Sequence, residues 1–300
     1  MTDVTILTER RYFKPDTVTP YIANILKEYS LLKEALEGEG LSVSRTSWDN
    51  PEFDFSRTRA VVFRTIWDYF ERFDEFFPWL RELDGKTMLI NPLKLIEWNI
   101  DKHYLADLEA RGFATVPTVF VDRGKDIALD ELCSQKGWEQ VVIKPAVSGA
   151  GFETYKIDKE QLDRHEALFA RLVAERDMLV QPFVSSITKK GEASMMVFGG
   201  QYTHAILKRA KPGDFRVQDD FGGSVHPYQP TAGEIELAIT LFRDIDPVPA
   251  YGRVDIVWDE TGNALISELE IIEPELWLRN HPPAAADFAK AIKGQLDRQG

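Results

Sequence analysis

The stretch YGRVDIVWDETGNALISELEI, residues 251–271, is predicted to form a β-hairpin and carries more chemical information than any other part of the sequence. Side chains of a strand point alternately to its two faces, so Arg253 and Asp255 share one face of the first strand. Glu268 and Glu270 share a face of the return strand, and the turn 259–263 joins the two strands. Pairing around this turn brings Asp255 within about 5–8 Å of Glu268.

The carboxylates of Asp255, Glu268 and Glu270 repel one another on an apolar-backed sheet face unless a positive charge lies between them. Oxygen ligands of this kind suit Mg²⁺, which usually completes its coordination shell with phosphate oxygens and water. The alternative is the solvated outer face of an edge hairpin, because charged residues are mostly exposed. Apolar neighbours on both strands, together with Arg253 on the same face, favour the metal site.

A site for a metal and phosphates also needs cations and backbone N–H donors. Lys144 ends the apolar run Val141–Ile143, and the small-residue loop Ser148-Gly149-Ala150-Gly151 follows it. Such loops allow backbone N–H groups to surround an anion, although a simple hairpin turn would have the same composition. Lys102, near the start of a predicted helix over Ile100–Ala110, is a further candidate cation, with a solvated lysine as the alternative.

The stretch 207–216 is basic within an acidic chain and supplies Lys208 and Arg216. A charge run of this kind is by default a solvated loop. It is followed by Asp219-Asp220-Phe221-Gly222-Gly223-Ser224, which we interpret as a flexible turn able to close over a reacting group.

The order of predicted elements indicates the fold class. Strands and helices alternate in the first third of the chain, which favours an α/β lobe with a parallel sheet and helices on both faces. The rest mixes strands and helices without that alternation, as α+β lobes do. The chain of 300 residues exceeds the usual size of a single core. We therefore expect three lobes, formed by residues 1–95, 96–184 and 185–300.

The composition excludes several classes of partner and site. The formal net charge is −13, from 49 acidic and 36 basic residues, and such a surface repels nucleic acid and anionic lipid. The single cysteine, Cys133, is predicted to be a buried helical residue rather than a catalytic thiol. No leader or membrane span is evident, so we expect the cytoplasm. P-loop, dinucleotide, zincin and nucleophile-elbow motifs are missing from the sequence.

Taken in chain order, the pieces resemble the ATP-grasp superfamily. They are Lys102, Ile143-Lys144-Pro145 with the glycine loop, the hinge Val180–Phe183, Lys208 and Arg216, Arg253-Val254-Asp255, and Glu268-Leu269-Glu270. The match spans Asn99 to about Trp277, and the first lobe is similar to the Rossmann-like pre-ATP-grasp domain. Arg64–Tyr69 and Trp98–Lys102 resemble glutathione synthetase-like members, including the O-ureidoserine cyclo-ligase type of cycloserine biosynthesis.

This resemblance implies a role for each candidate residue. ATP would be held by Lys102, Lys144, the loop Ser148, Gly149, Ala150 and Gly151, the hinge Gln181, Pro182, Phe183 and Val184, and Glu192 as a ribose or lysine partner. Mg²⁺, or Mn²⁺ in its place, would be bound by Asp255, Glu268 and Glu270. The transferring phosphoryl group would face the catalytic residues Lys208, Arg216 and Arg253. Many relatives have Asn where Glu270 stands, so the metal site here carries an extra negative charge.

The activity that the resemblance implies is ADP-forming ligation of a carboxylate to an amine through an acyl phosphate, on a small amino-acid-like substrate. The alternatives are a cyclo-ligase of the same fold, a non-catalytic ATP-binding module and a stand-alone kinase. The partners expected are small-molecule carboxylates and amines, with homo-oligomers common among relatives. Candidate substrate residues are Arg64, Trp67, Asp68, Glu273 and Glu275. Arg64 either pairs with a substrate carboxylate or forms a surface pair with Asp68.

Overall fold

The first lobe is built on a parallel sheet. The computed structural model describes residues 1–217 and 222–299. The sheet has the strand order β2-β1-β3-β4, from β1 (Thr2–Thr8), β2 (Val43–Ser47), β3 (Thr58–Thr65) and β4 (Met88–Ile90). Its helices are α1 (Arg10–Phe13), α2 (Pro20–Gly38), α3 (Phe73–Asp84) and α4 (Leu93–Asn99). The predicted α/β class of this lobe is confirmed.

Helix α2 shows how local sequence sets these boundaries. The Thr19 side chain accepts a hydrogen bond from the Ile22 backbone N–H, and Pro20 occupies the first turn, where its missing N–H costs nothing. The helix ends at Gly38, and Gly40 follows with a φ of 82°, a conformation that glycine adopts without strain.

The middle sheet is antiparallel and has the strand order β5-β8-β6-β7. Its strands are β5 (Val119–Val121), β6 (Gln140–Pro145), β7 (Tyr155–Asp158) and β8 (Met178–Pro182). The helices of this part of the chain are α5 (Tyr104–Ala110), α6 (Leu129–Lys136) and α7 (Leu162–Glu175). Cys133 lies in α6 and is buried, as predicted, and burial raises the pKa of its thiol to about 11.

The last sheet is also antiparallel, in the order β11-β10-β9-β12-β13. It comprises β9 (Glu192–Phe198), β10 (Gln201–Arg209), β11 (Ser224–Pro227), β12 (Tyr251–Trp258) and β13 (Ala264–Glu270). Its helices are α8 (Ser186–Lys189), α9 (Ala232–Asp244) and α10 (Ala284–Gln299). The predicted hairpin is confirmed as β12 and β13. The solvated-loop interpretation of residues 207–216 is wrong for Lys208, which lies within β10. Of the predicted flexible turn 219–224, residues Asp219, Asp220 and Phe221 lie outside the described residues.

The apolar cores bring together segments of different lobes that are far apart in the sequence. Phe288 and Ile292 of α10 share a core with Val4 of β1 and Leu32 of α2, so the end of the chain returns to the first lobe. Helix α5 packs in the core of the last sheet and not in that of the middle sheet. The helix predicted over Ile100–Ala110 begins only at Tyr104. Each predicted lobe contains one sheet, while the boundaries at 95 and 184 stay predictions.

No helix among the described residues is long and apolar enough to cross a membrane.

Candidate active site

A cavity of about 520 Å³ lies where the three sheets meet, within the usual size range of small-molecule sites. The acidic face of β12 and β13 forms part of its wall, and Lys144 and the glycine loop of the middle lobe form another part. All but two of the candidate residues line it: Lys102, Lys144, Ser148, Gly149, Ala150, Gly151, Gln181, Pro182, Phe183, Val184, Glu192, Lys208, Arg216, Arg253, Asp255, Glu268, Glu270, Trp67, Glu273 and Glu275.

The carboxylates of the hairpin converge at one point. Asp255 pairs with Glu268 across the two strands, and a shift of register follows Asp255. One carboxylate oxygen of each of Asp255, Glu268 and Glu270 lies within 4.8 Å of the others. Asp255 is 1% exposed, so the solvated-face alternative is wrong for this residue. Three carboxylates this close form a set of oxygen ligands for a hard divalent cation.

Buried cations lie directly against this cluster. Lys208 Nζ is 2.8 Å from Glu192 Oε2 and 3.0 Å from Asp255 Oδ2. The Arg253 guanidinium donates to both oxygens of Asp255, at 2.8 and 2.7 Å, and also to Glu270. Burying ions is costly unless they are paired and hydrogen-bonded, and this network meets both conditions for Lys208 and Arg253.

The electrostatics of the cluster differ from one carboxylate to the next. Burial opposes ionisation of Asp255, but Arg253 and Lys208 outweigh it and hold the pKa of Asp255 well below its usual range. Burial, together with the charges of Glu268 and Asp255, raises the pKa of Glu270 to about 8 despite its contact with Arg253. The cluster therefore favours a cation that would allow Glu270 to ionise near neutral pH.

Two lysines, Lys102 and Lys144, form another side of the cavity. Lys102 is buried, so the solvated-lysine alternative is wrong, and its Nζ donates to Ser148 O at 2.6 Å and lies 3.2 Å from Glu268 Oε1. Burial and the nearby Lys102 lower the pKa of Lys144, with Glu268 acting in the opposite direction. Within residues 1–217 and 222–299, no carboxylate lies within 4.0 Å of Lys144 Nζ, which leaves its charge for an anionic ligand.

The glycine loop lies against the first lobe. Ala150 and Gly151 have φ values of 49° and 71°, and a non-glycine residue such as Ala150 in this region is strained. A Cβ at Gly149 would lie 2.9 Å from Phe70 Cε1, closer than real contacts allow. A larger residue at Gly149 would therefore force Phe70 or the loop to move, and the loop lines the cavity from the side of the middle lobe.

The hinge Gln181–Val184 forms the adjoining wall. Gln181 Nε2 donates to Thr118 Oγ1 at 2.8 Å, and the Phe183 backbone N–H donates to Gln140 O at 2.8 Å. Lys156 Nζ lies 4.4 Å from the centre of the Phe183 ring. These contacts hold Gln181–Val184 in place as one wall of the cavity.

The strand that carries Glu268 and Glu270 is an edge strand whose free side is capped. The Asn99 side chain donates to Leu269 O at 2.9 Å and accepts from Ile271 N at 3.0 Å. The Tyr104 hydroxyl accepts from Leu269 N at 2.9 Å. The phrase Trp98–Lys102 supports the family resemblance, but the sequence does not reveal this role of Asn99, since nothing local shows that an amide will substitute for a neighbouring strand.

We expect Asn99→Leu to weaken both the fold and the site, because it leaves the Leu269 carbonyl of β13 and the Ile271 N–H just after it without these partners. Each such group costs about 1–3 kcal/mol. The free energy of unfolding should fall accordingly in urea titrations, and Mg²⁺-dependent nucleotide affinity should fall with it. The matched change in the exposed Asn24, Asn24→Leu, should leave both nearly unchanged. Equal stability of the two variants would show that the cap is dispensable.

Arg64 and Asp68 do not line the main cavity. Arg64 donates to Pro274 O at 2.9 Å and lies against the rings of Tyr251 and Phe288. It lines a smaller, neighbouring cavity. Asp68 accepts from Trp48 Nε1 at 2.8 Å and from Arg72 at 3.1 Å, so the predicted Arg64–Asp68 pair is wrong. The prediction that these two residues contact substrate in the main cavity is corrected accordingly, since both side chains are directed elsewhere.

Comparison with known proteins decides the family. The RimK-like ATP-grasp domain family matches residues 116–272, and the N-terminal domain family of the D-cycloserine synthetase DcsG matches residues 4–91. The chain belongs to the ATP-grasp family of ligases. These matches confirm the resemblance to the ATP-grasp superfamily and the predicted fold. They also confirm the predicted activity, which uses ATP to ligate a carboxylate to an amine on a small substrate.

Individual relatives of this ligase agree with that placement. The cycloserine biosynthesis protein DcsG of Streptomyces lavendulae is 31% identical over 279 residues, which cover 88% of this chain and 92% of that protein. The crystal structure of D-cycloserine synthetase DcsG matches with a TM-score of 0.84 at 29% identity, over 98% of this chain and 99% of that one. The crystal structure of D-alanine–D-alanine ligase from Bacillus anthracis complexed with ATP shares the fold, with a TM-score of 0.66 at 14% identity, over 99% of this chain and 98% of that one. A second structure of the same ligase has a TM-score of 0.68 at the same identity and coverage.

Proposed function

We propose that this ligase transfers the γ-phosphoryl group of ATP to a substrate carboxylate, forming an acyl phosphate that a nitrogen nucleophile then attacks, with ADP and phosphate as the other products. One observation supports the proposal above all others. The acidic face of β12 and β13 and the two lysines with the glycine loop face each other across a single cavity. Catalysis of phosphoryl transfer consists mainly of positioning and charge stabilisation, and this arrangement supplies both.

The donor set fits Mg²⁺, or Mn²⁺ in its place. Asp255, Glu268 and Glu270 would hold the ion, since their oxygens already lie within 4.8 Å of one another and Glu270 resists ionising without a further cation. A bound Mg²⁺ offsets negative charge on phosphate oxygens. In this chain Lys102 and Lys144 would bind the phosphates, while Lys208, Arg216 and Arg253 would stabilise the transferring phosphoryl group.

The remaining cavity walls fit the rest of the nucleotide and the substrate. Gln181–Val184 would contact adenine, Glu192 would orient Lys208 or the ribose, and the loop Ser148–Gly151 would cover the phosphates. Excluding water in this way protects an acyl phosphate from hydrolysis. Trp67, Glu273 and Glu275 line the part of the cavity that would receive the substrate.

The substrate is proposed to be a small amino-acid-like carboxylate. A relative that covers most of this chain is named for cycloserine synthesis, which favours an intramolecular reaction in which carboxylate and nitrogen belong to one molecule. The alternative is ligation of two separate molecules, as in the D-alanine–D-alanine ligase that shares the fold. A cytoplasmic location, the number of metal ions and a homo-oligomeric state stay predictions.

Phosphate release distinguishes these reactions. The enzyme with Mg²⁺ and ATP is given O-ureidoserine as each enantiomer, then single D- and L-amino acids, then pairs of them. We expect release with a single compound, accompanied by a cyclic product. Release only with pairs would favour intermolecular ligation, a phosphorylated product that persists would favour a kinase, and tight ATP binding without release from any compound would favour a binding module.

A further inference from the structure

Glu273 is a buried carboxylate in the part of the cavity proposed for the substrate, and it has no proposed role in binding the metal or the nucleotide. It lines the cavity three residues beyond Glu270 and is 9% exposed. Among the described residues, no lysine or arginine nitrogen lies within 4.0 Å of its carboxylate. A carboxylate buried in a reaction cavity without an ion pair has an unusual freedom to accept a proton.

The other cavity carboxylates are already occupied. Glu192 and Asp255 pair with Lys208, Glu268 with Lys102, and Glu270 with Arg253. Glu275 Oε1 lies 2.6 Å from Arg279. Glu71 is exposed at the rim of the cavity. Glu273 is therefore the remaining buried carboxylate of this wall.

The backbone around Glu273 is held by the end of β3 and the residues after it. Trp67 Nε1 donates to Glu273 O at 3.0 Å, and Arg64 donates to the next carbonyl, Pro274 O, at 2.9 Å. The hydroxyl of Tyr69, which is 4% exposed, is hydrogen-bonded to the Glu273 side chain. Arg64, Trp67 and Tyr69 thus position Glu273, which gives the Arg64–Tyr69 phrase a role other than direct contact with substrate.

The electrostatic surroundings suit a group that exchanges protons near neutral pH. Burial raises the pKa of Glu273 to about 7, with Tyr69 and Lys102 favouring the ionised form and Glu268 opposing it. The titratable or charged groups whose fields reach Glu273 are Tyr69, Lys102, Glu268, Glu270, Arg64 and Tyr251. General bases work best when their pKa lies near the working pH.

We propose that Glu273 is the general base that removes a proton from the attacking nitrogen. The inference rests on the proposed ligase function and adds a catalytic residue to it. The nitrogen lone pair forms the C–N bond, and the bond between the acyl carbon and the phosphate oxygen breaks to release phosphate. The proton from nitrogen passes to the Glu273 carboxylate and then to solvent, so no further reactant is required.

The test compares two nucleophiles on one acyl donor. Wild type, Glu273→Gln and the rim control Glu71→Gln are each given Mg²⁺, ATP and O-ureidoserine, with and without hydroxylamine, which is unprotonated and strongly nucleophilic at neutral pH. We expect Glu273→Gln to slow formation of the cyclic product by about 10²–10⁴-fold, the usual contribution of a general base, while hydroxamate still forms near the wild-type rate. Glu71→Gln should match wild type in both reactions.

The pH profile gives a second readout. Because a base acts in its ionised form, wild-type turnover should rise through an apparent pKa near 7, and Glu273→Gln should lose that limb. Tyr69→Phe removes a hydrogen bond that favours the ionised form, so its limb should move to higher pH. Unchanged turnover in Glu273→Gln, or an equal loss of the cyclic product and the hydroxamate, would show that Glu273 is not the general base. If wild type makes neither product from O-ureidoserine, the proposed intramolecular reaction fails, and the role of Glu273 as its base fails with it.

Discussion

Glu268→Gln is expected to lower ATP-dependent phosphate release by about 10²–10³-fold, the scale seen when one group that stabilises transition-state charge is removed. The substitution keeps the shape of the side chain and removes its charge. That charge lies 3.2 Å from Lys102 Nζ and faces Asp255 across the hairpin. The measurement is steady-state phosphate release under saturating Mg²⁺ and ATP.

The control for Glu268→Gln is Glu260→Gln, an equal loss of charge at the exposed turn of the same hairpin. It should retain wild-type turnover. Lys144→Ala, which removes a cation from the opposite wall of the cavity, should reduce turnover as severely as Glu268→Gln does. Both site variants should keep the wild-type circular dichroism spectrum. Turnover near the wild-type rate in either of them would remove that residue from the proposed site.

Lys208→Met should cause the largest loss of stability, with the free energy of unfolding reduced by about 3–5 kcal/mol. Lys208 is 4% exposed and pairs with Glu192 and Asp255. Without its ammonium group, Glu192 loses its ion pair, and Asp255 keeps only the ion pair with the guanidinium of Arg253, which also contacts Glu270. Breaking a buried pair by removing one partner is costly for this reason.

Urea unfolding followed by tryptophan fluorescence measures this loss as a lower midpoint at an unchanged slope. The exposed Lys27 of α2 provides the matched control, since Lys27→Met removes the same group from the surface and should change stability by less than about 0.5 kcal/mol. If Lys208→Met were as stable as Lys27→Met, the network around Asp255 would not be held by this lysine.

The hairpin and its carboxylate cluster could be predicted because their signals are local. Alternation along 251–258 and 264–270 decides which side chains share a face, and the turn between them sets the pairing of Asp255 with Glu268. The ATP-grasp resemblance then supplied the long-range step, by placing Lys144 and the glycine loop opposite the hairpin. The cavity lining agrees with that placement.

The contacts that could not be predicted from the sequence join segments that are far apart along the chain. Arg64 lies 210 residues from Pro274, and nothing local indicates that its guanidinium bonds a backbone carbonyl there. Asn99 caps Leu269 across 170 residues in the same manner. The charge of the stretch 207–216 by itself indicates a solvated loop, whereas the pairing of β10 with β9 buries Lys208 between Glu192 and Asp255.

The most direct test of the shared cavity is a crystal structure of the ligase with Mg²⁺ and a non-hydrolysable ATP analogue. We expect metal density among the carboxylates of Asp255, Glu268 and Glu270, triphosphate density at Lys102 and Lys144 beneath the glycine loop, and adenine against Gln181–Val184. Nucleotide bound elsewhere, or a metal without contact to the hairpin carboxylates, would contradict this expectation.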